Sequence, residues 1–99
     1  MKSRLLASAE ADLRWFLHYY AKVFPQGRAG AVTRYKNART LIEQHPQAGQ
    51  LQQNGKSRVF VIPKTHFTLE YVIYSNFIGI LRIHDQRRNP ARLFDDDLQ

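Results

Sequence analysis

The apolar residues of this chain recur with two different periods, and the change falls near its middle. Before His45-Pro46 they return every three or four residues; after Gly55 they alternate or run on continuously. The first spacing gathers side chains into one stripe of a helix, and alternation gathers them onto one face of a strand. A chain of 99 residues written in this way is a helical half followed by a strand half, and at that length the halves share one core. The expected fold class is α+β: a two-helix antiparallel hairpin packed on one face of a twisted antiparallel sheet of three to four strands, with residues 1–99 forming a single domain.

In the first half, Leu13, Phe16, Leu17, Tyr20 and Phe24 form the stripe of a helix that opens near Ser8, a residue suited to an N-cap. Glu10 and Asp12 then sit in or near the first turn, where carboxylates meet the positive end of the helix dipole. Pro25-Gln26-Gly27 closes that helix. A second is expected over residues 29–44, with Ala31, Tyr35, Ala38, Ile42 and His45 on its apolar side, ended by Pro46 and Gly49. Trp15, Tyr19 and Tyr20 sit beside basic residues, as in single-strand binders, but aromatics at helical spacing are read as packing.

In the second half, residues 58–62, 67–74 and 77–84 read as three antiparallel strands rich in β-branched and aromatic residues, the last two joined at Ser75-Asn76. Residues 4–6 offer a further edge strand. The last strand is apolar on both sides, with Ile78 and Ile80 on one and Phe77, Leu81 and Ile83 on the other, so it is expected in the middle of the sheet and covered twice. Two helices cover one face, so part of the other is either closed by the C-terminal segment or left as an apolar patch for a partner, and the patch is the favoured expectation.

Several classes of protein drop out. There is no cysteine, hence no disulfide, thiolate metal site or cysteine nucleophile. The apolar run after Lys2-Ser3-Arg4 is too short for a signal-peptide core, and no stretch approaches the ~20 apolar residues of a membrane helix. A soluble, cytoplasmic protein without membrane contact is expected. Fifteen Lys and Arg against eight Asp and Glu give a net charge of +7, and three of the acids are Asp95, Asp96 and Asp97 in a short acidic tail at about residues 91–99. The basic body favours a nucleic acid or nucleoprotein partner.

The densest set of functional residues ends the last strand: Arg82, His84, Asp85, Arg87 and Arg88. Arg82 and His84 share one face by alternation, and Arg87 and Arg88 follow where the chain leaves the sheet. Such a cluster grips phosphates or presents a cationic ridge to a protein. Lys56 and Lys64 add loop cations. Asp95 to Asp97 have two readings, a solubilising end or an internal cover for the arginine ridge.

At these residues the chain resembles the RelE/ParE toxin superfamily of type II toxin-antitoxin systems. The resemblance rests on Ala9-Glu10-Ala11-Asp12-Leu13, Tyr19-Tyr20-Ala21, His45-Pro46, Arg58, the Phe67, Tyr71 and Ile73 strand, and the ending Ile80-Leu81-Arg82-Ile83-His84 with Arg87-Arg88-Asn89-Pro90, and so spans nearly the whole chain. It implies a hairpin on a twisted antiparallel sheet, a cognate antitoxin that wraps the toxin in a hetero-oligomer, and no cofactor or metal.

The ending is more similar to ParE than to RelE. ParE-like members, associated with plasmid stabilization, act on DNA gyrase without being known as nucleases, and the target contact is then expected at Arg82, His84, Arg87 and Arg88. RelE-like members are enzymes that cut mRNA on the ribosome. In RelE an arginine follows the aromatic of the penultimate strand, and here that place is Thr68. A histidine-based variant of that metal-independent chemistry would draw on His66, Glu70 and His84 with Arg58 and Arg82, His84 as general acid and Glu70 or His66 as base. The competing reading of His84 is a strand-end histidine bonded to the backbone. A basic nucleic-acid-binding module that shares only the architecture is a third possibility.

Overall fold

A computed structural model describes residues 1–87; Arg88, Asn89, Pro90 and the acidic tail lie outside the described residues. Strand β1 (Ser3–Leu5) leads into helix α1 (Ala7–His18), which runs on as a π-helical turn over Tyr19–Val23. After a 3-10 turn at Pro25–Gly27 comes helix α2 (Arg28–Gln44), then a second 3-10 turn at Pro46–Ala48. Strands β2 (Gln50–Leu51), β3 (Ser57–Val61), β4 (Phe67–Ile73) and β5 (Ile78–Asp85) complete the described chain. No helix among the described residues is long and apolar enough to cross a membrane.

The fold class is the one expected from the change of period, with more strands. The sheet has five, in the order β1-β5-β4-β3-β2. Neighbours from β2 to β5 are antiparallel, and β1 joins β5 in parallel, Ser3 opposite Ile78 and Leu5 opposite Ile80. The parallel pairing needs the long crossover that the helical hairpin supplies. Strand β1 is tied to α2 as well: Glu43 accepts from the Ser3 amide at 2.8 Å and from its hydroxyl at 2.6 Å, and Arg39 donates to the Ser3 carbonyl at 3.0 Å.

Both helices pack on one face. Phe67, Leu69 and Tyr71 alternate inward from β4 and are fully buried against Phe16, Tyr19 and Tyr20 of the first helical run and Tyr35, Ala38 and Ile42 of α2. The ring of Phe16 meets Phe67 edge-on with centroids 4.8 Å apart. Strand β5 reaches this face in two stretches. Pairing passes from Glu70 opposite Arg82 to Tyr71 opposite Ile80, so Leu81 is an extra residue that changes the parity of the strand. Such a bulge puts Ile83 on the same side as Ile78 and Ile80. The doubly apolar pattern therefore marks a bulge, and the described residues cover β5 on one face. The other face, expected to be an apolar patch, is mixed: Val59, Val61 and Val72 lie among Thr68, Glu70 and His84.

The helical stripe shifts too. The π turn closes with the Phe24 amide donating to the Tyr19 carbonyl at 3.0 Å, one residue further than an α-helical bond. Tyr19, expected on the flank, is buried, while Leu17 and Phe24, expected in the core, stand 40% and 48% exposed. Leu17 lies about a quarter turn from the buried line through Ala9, Phe16 and Tyr20. Ser8 is not the N-cap: Leu6 holds that place with no side-chain bond, and the Ser8 hydroxyl instead donates to the Leu81 carbonyl. His45, expected in the stripe of α2, caps its end and is exposed.

The loop after α2 is clasped from below. The buried Tyr71 hydroxyl accepts from the Gly49 amide at 2.8 Å and donates to the Pro46 carbonyl at 2.6 Å. A Cβ on Gly49 would stand 2.7 Å from that oxygen, so the close approach requires glycine. Replacing Tyr71 with phenylalanine leaves both backbone groups without this partner. The expected loss of unfolding free energy is about 1–3 kcal/mol, read from a urea titration.

Candidate functional site

Strand β5 has eight residues and β1 has three, so the outer edge of β5 runs on beyond its neighbour. Helix α1 takes over that edge. The Leu6 amide donates to the Ile80 carbonyl at 3.0 Å, the Ser8 hydroxyl to the Leu81 carbonyl at 2.7 Å, and the Ile83 amide to the Asp12 carboxylate at 2.9 Å. Further along, the Trp15 indole donates to Asp85 at 2.8 Å. Residues 8, 12 and 15 are one helical flank by spacing, and here that flank does the work of a missing strand.

Arg82 joins the same closure. Its guanidinium donates twice to Asp12, from Nε at 2.7 Å and Nη2 at 3.2 Å. Burial pushes the Asp12 carboxyl up, but the bonds from Arg82 and the Ile83 amide hold it below the usual carboxylate range. Sequence reading placed Asp12 near the first turn for the helix dipole; the structure shows an acceptor for the sheet edge.

On the open face, His84 and Glu70 meet across β5 and β4 at 2.8 Å, Nε2 to Oε1. Burial raises the Glu70 carboxyl, and the bonds from His84 and Ser57 more than offset it, so the group stays ionised below its ordinary range. An ionised carboxylate only accepts, which puts a proton on Nε2 of His84. The pair lies in a shallow groove of about 400 Å³ bounded by Gln50, Gln52, Val59, Val61, Thr68 and Gln86. Gln86 caps it by donating to the Thr68 hydroxyl at 2.8 Å.

The other members of the nuclease set are elsewhere. His66 packs at the end of the sheet against Tyr19, ring centroids 4.7 Å apart and edge-on. Its Nε2 is buried without a hydrogen bond, 3.6 Å from Asp85. Burial, then Arg87, holds the His66 pKa below its ordinary value against the pull of Asp85. Arg58 reaches back under the loop after α2, donating to the carbonyls of Gly49 at 2.9 Å and Gln47 at 3.3 Å. Thus Glu70 and His84 come together, with Arg82 opposite Glu70 on the same face but its guanidinium bonded to Asp12, while His66 and Arg58 do not join them.

Two arginines of the expected cationic ridge make contacts within the fold while their side chains stay about half exposed. Arg82 is held by Asp12, and Arg87 lies 4.6 Å above the Tyr19 ring while its amide donates to Asp85 at 3.1 Å. Arg88 lies outside the described residues. Cleavage of RNA without a metal needs base, acid and a cation about one phosphate; the open face offers an imidazole-carboxylate pair able to hold and pass one proton. Among the described residues, no group of three histidine or acidic side chains has the arrangement of a metal site.

Sequence reasoning missed Ser8, Trp15 and Asp85 as edge partners, and Ser57 as a partner of Glu70. The polar spacing of Ser8, Asp12 and Trp15 beside an apolar stripe was the available signal. Trp15, Tyr19 and Tyr20 do pack, as read.

No family model matches the chain and no curated protein matches it. A solved structure described as the chromosomal ParDE TA system from P. aeruginosa is similar, with a TM-score of 0.70 and 23% identity over 86% of this chain and 95% of that one. At that identity the likeness shows the fold: the hairpin on one face of a mostly antiparallel sheet is shared with a chain of that system.

The low pKa of His66 sets a pH window. The unfolded chain binds its proton nearer the ordinary value of 6.5, so this contribution to stability is complete above that pH and declines as pH falls toward the lower folded value. Asp12 and Glu70 lose theirs only below about 4 to 4.5. Urea midpoints at pH 7.5 and 5.5 are expected to drop on acidification in the parent and less in His66→Gln; equal drops would remove His66 as the cause.

Proposed function

We propose that this chain is the toxin of a type II toxin-antitoxin pair of the ParE kind, a non-enzymatic protein ligand of DNA gyrase that a cognate antitoxin neutralises in a cytoplasmic hetero-oligomer. The observation that carries the reading is that His66 and Arg58 stand apart from the Glu70–His84 pair and the neighbouring Arg82 guanidinium is bonded to Asp12, on a fold shared with a chain of a ParDE system. Arg58 and Arg82 are bonded to other parts of the structure, His66 packs against Tyr19, and Thr68 stands where RelE has arginine. A toxin that acts by occupying its target needs a stable surface and no acid-base set. The excess of cations in the body suits an acidic antitoxin and a target that works on DNA.

A second reading, a ribosome-dependent endoribonuclease acting on mRNA, draws support from the Glu70–His84 pair at 2.8 Å on an open groove. The two readings separate in cells. Expression without any antitoxin, with DNA, RNA and protein synthesis followed by pulse labelling, is expected to stop DNA synthesis first and to produce filaments. Glu70→Gln is expected to arrest growth as the parent does. Early loss of protein synthesis with cut mRNA, abolished by Glu70→Gln, would establish the nuclease instead, and unimpaired growth would remove the toxin reading.

A further inference from the structure

Arg82 and Arg87 at the end of β5 are engaged within the fold, and further cations lie on the helical hairpin nearby. Residues 13–42 contain no Asp or Glu, yet carry Arg14, Lys22, Arg28, Arg34, Lys36 and Arg39. The bend between the helices falls inside this stretch. There the π turn carries Val23 and Phe24 out of the line that helical spacing would bury, leaving Val23 60% and Phe24 48% exposed.

The knob they form is held in place. The Phe24 ring lies over Gly27, where a Cβ would meet it at 2.4 Å, and beside Tyr20 at 6.3 Å between centroids. Tyr20 packs edge-on against Tyr19, which carries Arg87 over its ring. Lys22 and Arg28 flank the knob in sequence and are exposed. Arg34 and Arg87 both act on the Tyr20 phenol. Among the described residues, Lys22, Arg28 and Arg34 make no ion pair. The result is two apolar side chains inside a cationic collar.

We infer that this knob and collar are the surface by which the chain grips its protein target, and that the target offers an acidic segment bearing an apolar side chain; the inference rests on the reading proposed above. Anchoring apolar side chains ringed by charges that select and steer a partner is how protein interfaces are built. A second copy of the chain would set collar against collar. A phosphate backbone matches the collar and leaves Val23 and Phe24 unused. A bilayer calls for a longer apolar helical face than one turn presents.

The test is inhibition of purified DNA gyrase in a supercoiling assay, comparing the full chain with Val23→Ser, Phe24→Ser and the double reversal Lys22→Glu with Arg28→Glu. Thermal unfolding checks that each variant folds, and Val23→Ser, at the most exposed position, keeps the test valid if Phe24→Ser does not. Each folded variant is expected to need about tenfold or more protein for half-inhibition. Added salt should weaken the parent more than the charge reversal. Inhibition by folded variants at parental concentrations would overturn the inference and leave the proposed function standing. A parent chain without effect on gyrase would overturn both. Binding to vesicles containing anionic lipid, lost in these variants while gyrase inhibition persists, would assign the knob to a membrane surface and overturn the inference.

Discussion

The Asp12 carboxylate is the contact on which the rest of this structure depends. It accepts the Ile83 amide and the Arg82 guanidinium together, and so closes a sheet edge that β1 is too short to cover. An open edge of that kind is a template for pairing with other chains. With Ser8 and Trp15 on the same flank, Asp12 lays α1 along β5. That placement brings Phe16 onto Phe67 and sets the direction from which α2 returns over the core.

The same economy determines what is left for function. Of the acids in the described residues, Asp12, Glu43, Glu70 and Asp85 each accept internal bonds. The cations near them become part of the scaffold: Arg39 anchors β1, Arg58 supports the loop after α2, and Arg82 seals the edge. The charge available to partners is therefore concentrated on the helical hairpin, which has no carboxylates between Asp12 and Glu43. A residue that looks functional because it is charged and stands near a strand end can be one that the strand end itself requires.

Much of the architecture was legible in the spacing of apolar residues. Ala31, Tyr35, Ala38 and Ile42 lie buried as the stripe indicated, and β3, β4 and β5 begin and end within a residue of where alternation placed them, while β2 was not foreseen. The alternation of β4 and β5 about the turn at Ser75-Asn76 was legible as well, although unbroken pairing would set Glu70 opposite Leu81 and His84 on the other face, so that only the bulge brings Glu70 and His84 together. The bulge at Leu81 was not, since a strand apolar on both sides reads the same with or without it. Nor was the π turn: residues 16, 20 and 24 keep ideal α-helical spacing, and it is the packing of both Tyr19 and Tyr20 that breaks it. The role of Asp12 was hidden for a similar reason, because its sequence neighbourhood suits a first-turn acid and its partners are 70 and 71 residues away.

The most direct test of this account is a double-mutant cycle on Asp12 and Arg82, with alanine at each position singly and together, measured by urea unfolding and by gyrase inhibition on the same preparations. The account expects a coupling energy of at least about 0.5 kcal/mol and inhibition reduced only as far as the lost stability explains. Independent effects on stability, with inhibition abolished by the Arg82 change alone in a folded chain, would return Arg82 to the target surface and contradict it.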